Sequence, residues 1–136
     1  MRRVLIIEDS PTDTQLFRLA IDERETEIQV SIVATWQEAD AIITDRTKVL
    51  RLILLDLNLP MVGGREIIQI VRRRGVHVPI IVFSTSSSPT DIVACYREGA
   101  SGYIVKPYDV GELFETLCTT FKYWLEVNKL GEEVYE

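Results

Sequence analysis

The chain has little of what most metal and redox sites are built from. It holds one histidine, His77, and two cysteines, Cys95 and Cys118, in 136 residues. One histidine cannot build a zinc site by itself, and the cysteines lack C-x-x-C spacing. Both cysteines fall inside helical patterns, where reduced thiols serve as small hydrophobes. His77 lies in the turn-like stretch Gly75-Val76-His77-Val78-Pro79, which suits a surface loop. No apolar run approaches the roughly 20 residues needed to cross a bilayer. Met1-Arg2-Arg3 leads straight into a short strand-like run, without the core or cleavage site of a signal peptide. The expectation is a cytoplasmic protein with no membrane contact. Positive charge is scarce as well: the net charge is −6, and the one basic cluster is Arg72-Arg73-Arg74. Those cations end a helical pattern, where they suit the negative end of the helix dipole. Nucleic-acid binding is therefore not expected. There is no repeat, low-complexity tract or linker, and the length fits one domain.

What the chain does have is a fivefold alternation of strand and helix patterns. Four short aliphatic runs stand out: Val4-Leu5-Ile6-Ile7, Leu52-Ile53-Leu54-Leu55, Ile80-Ile81-Val82-Phe83 and Tyr103-Ile104-Val105. Such runs, bounded by turn signals, read as strands buried on both faces. A further strand is expected over Ile28–Ala34 and the last over Gly102–Val105. Helix starts are marked by Ser10-Pro11, by the capping box Thr35-Trp36-Gln37-Glu38, by Ser88-Pro89 and by Asp109 with Glu112. Gly63-Gly64 precedes a third helix, roughly Arg65 to Arg74. Alternating strands and helices imply parallel pairing with right-handed crossovers. The fold class is therefore α/β: a doubly wound five-stranded parallel sheet with helices on both faces. Strand order cannot be read from periodicity. The flavodoxin-like order 2-1-3-4-5 is chosen because its switch point sets the first strand beside the third.

The chemistry gathers at the carboxyl ends of those strands. Glu8-Asp9 follow the first run, Asp56 the third-strand run, Ser84-Thr85 the next, and Lys106-Pro107 the last. Open α/β sheets build their sites at that edge. Three carboxylates brought together repel and must take up protons unless a cation joins them. Mg²⁺ accepts oxygen ligands and sits on one or two carboxylates plus a phosphate. Lys106 adds a positive charge and Ser84 a hydroxyl donor. The set suits phosphoryl transfer onto a carboxylate, with Asp56 as nucleophile.

These residues carry a resemblance. Glu8-Asp9, Asp56-Leu57-Asn58-Leu59-Pro60 with Gly64 downstream, Ser84-Thr85, and Ser101-Gly102-Tyr103-Ile104-Val105-Lys106-Pro107 resemble the receiver domain of two-component response regulators. The likeness runs from about Val4 to Leu125. It implies that Asp56 accepts a phosphoryl group from the phosphohistidine of a sensor histidine kinase. It implies Mg²⁺ as cofactor, held by Asp9 and Asp56, by Glu8 through a bound water, and by the backbone carbonyl of Asn58. It gives Ser84 the role of switch hydroxyl and Tyr103 that of switch aromatic. Lys106 pairs with the phosphate, and the Lys106–Pro107 bond is expected to be cis. Helix four, strand five and helix five would form the output face. Such a protein catalyses only its own phosphorylation and dephosphorylation and is not otherwise an enzyme. Serine at position 84, where threonine is more frequent, and Thr85, where alanine or glycine is usual, bear on the lifetime of the modified state.

Phe121, Tyr123, Trp124, Val127 and Leu130 extend the apolar character of the last helix beyond the usual receiver length. The stripe either folds back over its own core or mediates self-association, and the second reading is preferred. Residues 1–125 are thus assigned to a receiver and 126–136 to a helix end and tail suited to dimerisation. Cutting after Thr120 is expected to spare phosphorylation and dissolve the dimer. Leu57-Asn58-Leu59-Pro60, with the Phe-x-x-Trp-Leu ending, resembles single-domain receivers that pair with phytochrome-type histidine kinases. Three other classes fit less well. An aspartyl-phosphate phosphatase wants D-x-D after its first strand, whereas this chain has Glu8-Asp9-Ser10. A pseudo-receiver would not need Asp9, Asp56, Ser84 and Lys106 together. A flavin-binding protein should cradle phosphate after strand one, where Glu8-Asp9 is electrostatically wrong.

Overall fold

Aliphatic runs become the strands of one parallel sheet in a computed structural model that describes residues 2–24, 27–45, 47, 49–59 and 61–131. The elements follow in strict alternation: β1 Arg2–Ile7, α1 Pro11–Asp22, β2 Ile28–Val33, α2 Trp36–Thr44, β3 Leu50–Asp56, α3 Gly64–Arg73, β4 Ile80–Ser84, α4 Pro89–Glu98, β5 Gly102–Val105 and α5 Val110–Lys122. A π-helical turn, Tyr123–Val127, continues α5. Pro60 and the tail from residue 132 lie outside the described residues. The sheet order is β2-β1-β3-β4-β5, as expected, so β1 and β3 are neighbours at the switch point.

Alternation along each strand builds two cores. Leu5, Ile7, Ile53, Leu55, Ile80 and Val82 face α2, α3 and α4, meeting Ala39, Ile67, Val71 and Cys95. Val4, Ile6, Leu52, Leu54, Ile81 and Phe83 face α1 and α5, meeting Phe17, Ala20, Leu117 and Phe121. Period-two side chains with apolar atoms on both sides are why these strands show no polar alternation.

The helix starts follow the cap chemistry, with two differences. Ser10 Oγ accepts from the Asp13 amide at 3.3 Å, and Asp109 Oδ2 from the Glu112 amide at 2.9 Å. Thr35 Oγ1 accepts from the Glu38 amide at 3.3 Å, but its hydroxyl donates to Glu38 Oε1 at 3.0 Å. The carboxylate thus takes the hydroxyl proton, not the Thr35 amide. Ser88 makes no side-chain cap bond. Its amide instead donates to Ser86 Oγ, and the Ser86 hydroxyl donates to Asp91 Oδ2 at 2.6 Å.

The terminal stripe splits between the two readings. Phe121 and Leu125 are fully buried and Trp124 packs against the α1/α5 core, whereas Tyr123 and Val127 are about half exposed. Removing everything after Thr120 would therefore strip two core side chains, Phe121 and Leu125, at a cost in stability. The arginine cluster is engaged within the chain. Arg72 donates to the carbonyls of Gly99, Val76 and Val78, Arg73 to that of Gln69, and Arg74 pairs with Asp40 over the Trp36 ring. His77 is exposed, Cys95 is buried, Cys118 is half-buried, and both cysteines are free. Among the described residues no helix is long and apolar enough to cross a membrane.

Candidate functional site

Register brings the expected residues to one edge. Ile7 pairs with Leu55 across β1 and β3, so Glu8 and Asp56 come next, side by side. Asp56 pairs with Phe83 and Ser84 with Val105, which sets the Lys106 amide 2.7 Å from the Ser84 carbonyl. One carboxylate oxygen from each of Glu8, Asp9 and Asp56 lies within 4.8 Å of the others. Glu8 is 3% exposed and Asp56 9%, while Asp9 is open to solvent. The Asn58 amide donates to Asp56 Oδ1 at 3.2 Å, so the turn after β3 fixes that carboxylate. Gly64 packs hard against this turn: a Cβ there would stand 2.7 Å from the Leu57 Cα and 2.8 Å from the Asp56 carbonyl oxygen.

Lys106 enters from β5. Its Nζ donates to Glu8 Oε1 at 2.8 Å and to Asp13 Oδ2 at 3.0 Å, and stands 4.0 Å from Asp56 Oδ1. Asp13 is a member the sequence reading missed. Its spacing from Ser10 matches a helix cap, and that local explanation hid the second use of its side chain. The Lys106–Pro107 bond, expected to be cis, is trans; the described residues contain no cis peptide bond. Trans is the lower-energy isomer of an X–Pro bond by about 0.5–1 kcal/mol.

The hydroxyl and the aromatic meet through one residue. Ser84, 1% exposed, accepts from the Ser86 amide at 3.0 Å, and the Tyr103 hydroxyl donates to the Ser86 carbonyl at 2.8 Å. Ser86 was not anticipated, because both of its contacts to Ser84 and Tyr103 are through backbone.

The charges are strongly coupled. Burial pushes the Glu8 carboxyl up to about 9, helped by hydrogen bonding with Asp56 and Asp13 and opposed by Lys106. Burial also works against the Lys106 ammonium, but Glu8, Asp13 and Asp56 outweigh it and hold its pKa above the usual lysine value. Burial would raise Asp13, yet its hydrogen bonds with Glu8 and Lys106 keep it below the usual aspartate value. Glu8 Oε2 is buried and has no hydrogen-bond partner. A buried lone pair with nothing to accept is costly, and a hard divalent cation among three carboxylates removes that cost. The donor set therefore fits a metal ion. A buried carboxylate beside a cation site and an ammonium can act as a nucleophile toward an anionic group whose charge the two cations offset.

Comparisons agree with this geometry. Residues 4–118 match the family described as the response regulator receiver domain. The chain is 27% identical over 130 residues to the response regulator Rcp1 of Synechocystis, covering 90% of this chain and 88% of Rcp1. It is 32% identical over 113 residues to the response regulator ArlR of Staphylococcus aureus, but spans only 49% of that longer protein. Among solved structures, the phosphorylated cyanobacterial phytochrome response regulator RcpA matches with a TM-score of 0.89 and 28% identity, over 96% of this chain and 98% of RcpA. The Mn²⁺-bound form of Rcp1 matches with a TM-score of 0.88 and 26% identity, over 96% of this chain and 99% of that chain. An acidic trio at this edge of this fold is typical of the Mg²⁺ and phospho-aspartate site of response regulators. Proteins of this class are themselves phosphorylated and dephosphorylated and are not conventional enzymes. With 115 of its 136 residues inside the family match and the acidic trio at the β1–β3 switch point, this chain belongs to the response regulator receiver domain family.

Proposed function

We propose that Asp56 is the phosphoacceptor, taking its phosphoryl group from the phosphohistidine of a sensor histidine kinase in a Mg²⁺-dependent reaction. One observation carries this reading: Glu8, Asp9 and Asp56 converge within 4.8 Å with a buried, unpartnered Glu8 oxygen, facing the Lys106 ammonium. Glu8, Asp9, Asp56 and the carbonyl of Asn58 would hold Mg²⁺, which when bound supplies positive charge to the transferring group. The Asn58 amide occupies Asp56 Oδ1 and orients the carboxylate. A carboxylate oxygen of Asp56 forms the new O–P bond as the P–N bond of the donor breaks, and the imidazole leaves with the electron pair. Lys106 and the Ser84 hydroxyl then bind phosphoryl oxygens.

Ser84 and Tyr103 pass the change on through Ser86, to which both are bonded. The output face is α4, β5 and α5, where Val93, Tyr96, Val105, Tyr108 and Val110 are exposed. Output is a protein contact or onward transfer to another histidine. Similarity to the cyanobacterial phytochrome response regulator RcpA favours a phytochrome-type kinase as donor. Residues 1–125 act as the receiver, and α5 with the 126–136 extension forms a homodimer contact supported by the exposed Tyr123 and Val127. The working compartment is the cytoplasm.

The test is incubation with Mg²⁺ and acetyl phosphate or beryllofluoride, followed by tryptophan fluorescence and light scattering. A Mg²⁺-dependent response that Asp56→Asn abolishes is expected. A folded protein indifferent to both reagents would be a pure interaction module, and catalytic turnover of a phosphate monoester would mark a phosphatase.

A further inference from the structure

We propose that Asp13 is a positioning residue that draws the Lys106 ammonium away from Asp56 and thereby weakens the hold on a phosphoryl group there; this rests on Asp56 being the phosphoacceptor. Lys106 Nζ lies 2.8 Å from Glu8 and 3.0 Å from Asp13, but 4.0 Å from Asp56. The first two separations are hydrogen bonds and the third is not. Glu8 also belongs to the acidic trio suited to a cation, whereas Asp13 does not. Asp13 is thus the partner that keeps its oxygens for Lys106 when a cation occupies the trio.

The chain fixes this arrangement from both ends. Asp13 sits in the first turn of α1, with Pro11 opening the helix and its own amide bound to Ser10 Oγ at 3.3 Å. Lys106 is anchored by its amide to the Ser84 carbonyl at 2.7 Å. Its side chain is 11% exposed, so its charge is poorly screened and the pull of each carboxylate is strong. Each charge-assisted hydrogen bond holds the ammonium in place. Moving it toward a group on Asp56 loosens its bond to Asp13, and the tighter that bond, the weaker the new grip. The Asp13 side chain is 22% exposed, which moderates the effect without removing it.

The experiment titrates the full chain at saturating Mg²⁺ with beryllofluoride, reading the bound ¹⁹F NMR signal. Wild type should bind and Asp56→Asn should not; failure of that control removes the phosphoacceptor reading and this proposal with it, whereas the comparisons that follow bear on Asp13 alone. Asp13→Asn keeps the side-chain shape and drops the charge, and should bind beryllofluoride about three- to tenfold more tightly. The gain should disappear when Asp13→Asn is combined with Lys106→Ala and compared with Lys106→Ala alone, the non-additivity expected of a residue acting through its neighbour. Unchanged or weaker binding by a variant that melts like wild type overturns the proposal. An equal gain without Lys106 also overturns it, since Asp13 would then merely repel the anion. If Asp13→Asn melts early, Asp13→Ser, which keeps a polar group in this helical turn, decides by the same comparison.

Discussion

The Arg51 guanidinium donates to the Asn128 carbonyl at 3.1 Å, joining residues 77 positions apart. Arg51 lies near the start of β3 and is 5% exposed, so the bond ties the end of the π-helical turn to the sheet edge opposite the acidic site. A second link runs from Arg24 to Glu126 at 3.6 Å. The turn that continues α5 is therefore held by the sheet and by Arg24 of the same chain through Asn128 and Glu126. Arg51→Ala should destabilise the protein by about 2–3 kcal/mol, because a buried, charge-assisted bond is lost. Urea unfolding measures this. Beryllofluoride binding by the folded fraction should stay within about twofold of wild type, since additivity holds for distant sites.

Glu8 makes the metal-free protein sensitive to pH. Its carboxyl is raised from 4.5 to about 9 in the folded chain, so the folded state favours the protonated form. The stability this contributes is fully present below pH 4.5 and is lost as pH rises toward 9. In chelator, the urea midpoint should fall between pH 5 and pH 8.5, and added Mg²⁺ should recover it at the alkaline end. Glu8→Gln should flatten the chelator profile and weaken Mg²⁺ binding. A Glu8→Gln profile as steep as wild type would mean that another group causes the slope.

Gly64 stands where no Cβ fits without shifting the backbone of Asp56 and Leu57. Gly64→Ala should cost about 1–3 kcal/mol by overpacking. It should also weaken Mg²⁺ binding, because the atoms displaced include the Asp56 carbonyl oxygen. Calorimetry of unfolding and of Mg²⁺ titration separates the two effects.

Tyr103→Phe removes one hydroxyl bonded to the Ser86 carbonyl. A loss of about 1 kcal/mol in unfolding free energy is expected. Phosphorylation by acetyl phosphate should continue, because Tyr103 touches none of the three carboxylates. Phos-tag electrophoresis against time checks this.

The fold was legible because apolar runs and caps agreed. β5 was placed to the residue, and the cap chemistry of Ser10, Thr35 and Asp109 placed three helix starts within one residue. β3 was begun late, at Leu52, because Arg51 reads as polar and its buried partner is remote in sequence. Convergence of Glu8, Asp9 and Asp56 followed from strand order, which was a choice among topologies rather than a deduction. Asp13 stayed hidden because acids at helix starts already have a local reason to be there. The terminal stripe could not be resolved by periodicity, since a helix that is half core and half surface has the same spacing as one that is all contact face.

Side-chain parity divides the labour across the sheet. Glu8 extends the series Val4 and Ile6, Asp56 extends Leu52 and Leu54, and Lys106 extends Ile104, all on the face that α1 and α5 cover. Ser84 extends Ile80 and Val82 on the other face, the one that Tyr103 packs against. The sheet is thus a wall with the carboxylates and the ammonium on one side and the Ser84 hydroxyl and Tyr103 ring on the other. If Asp56 takes up a phosphoryl group, the path from it to Tyr103 crosses the single interstrand step from β3 to Ser84, and an insertion that shifts β4 by one residue would exchange the faces of that strand and withdraw the Ser84 hydroxyl from the ring and the carboxylate alike.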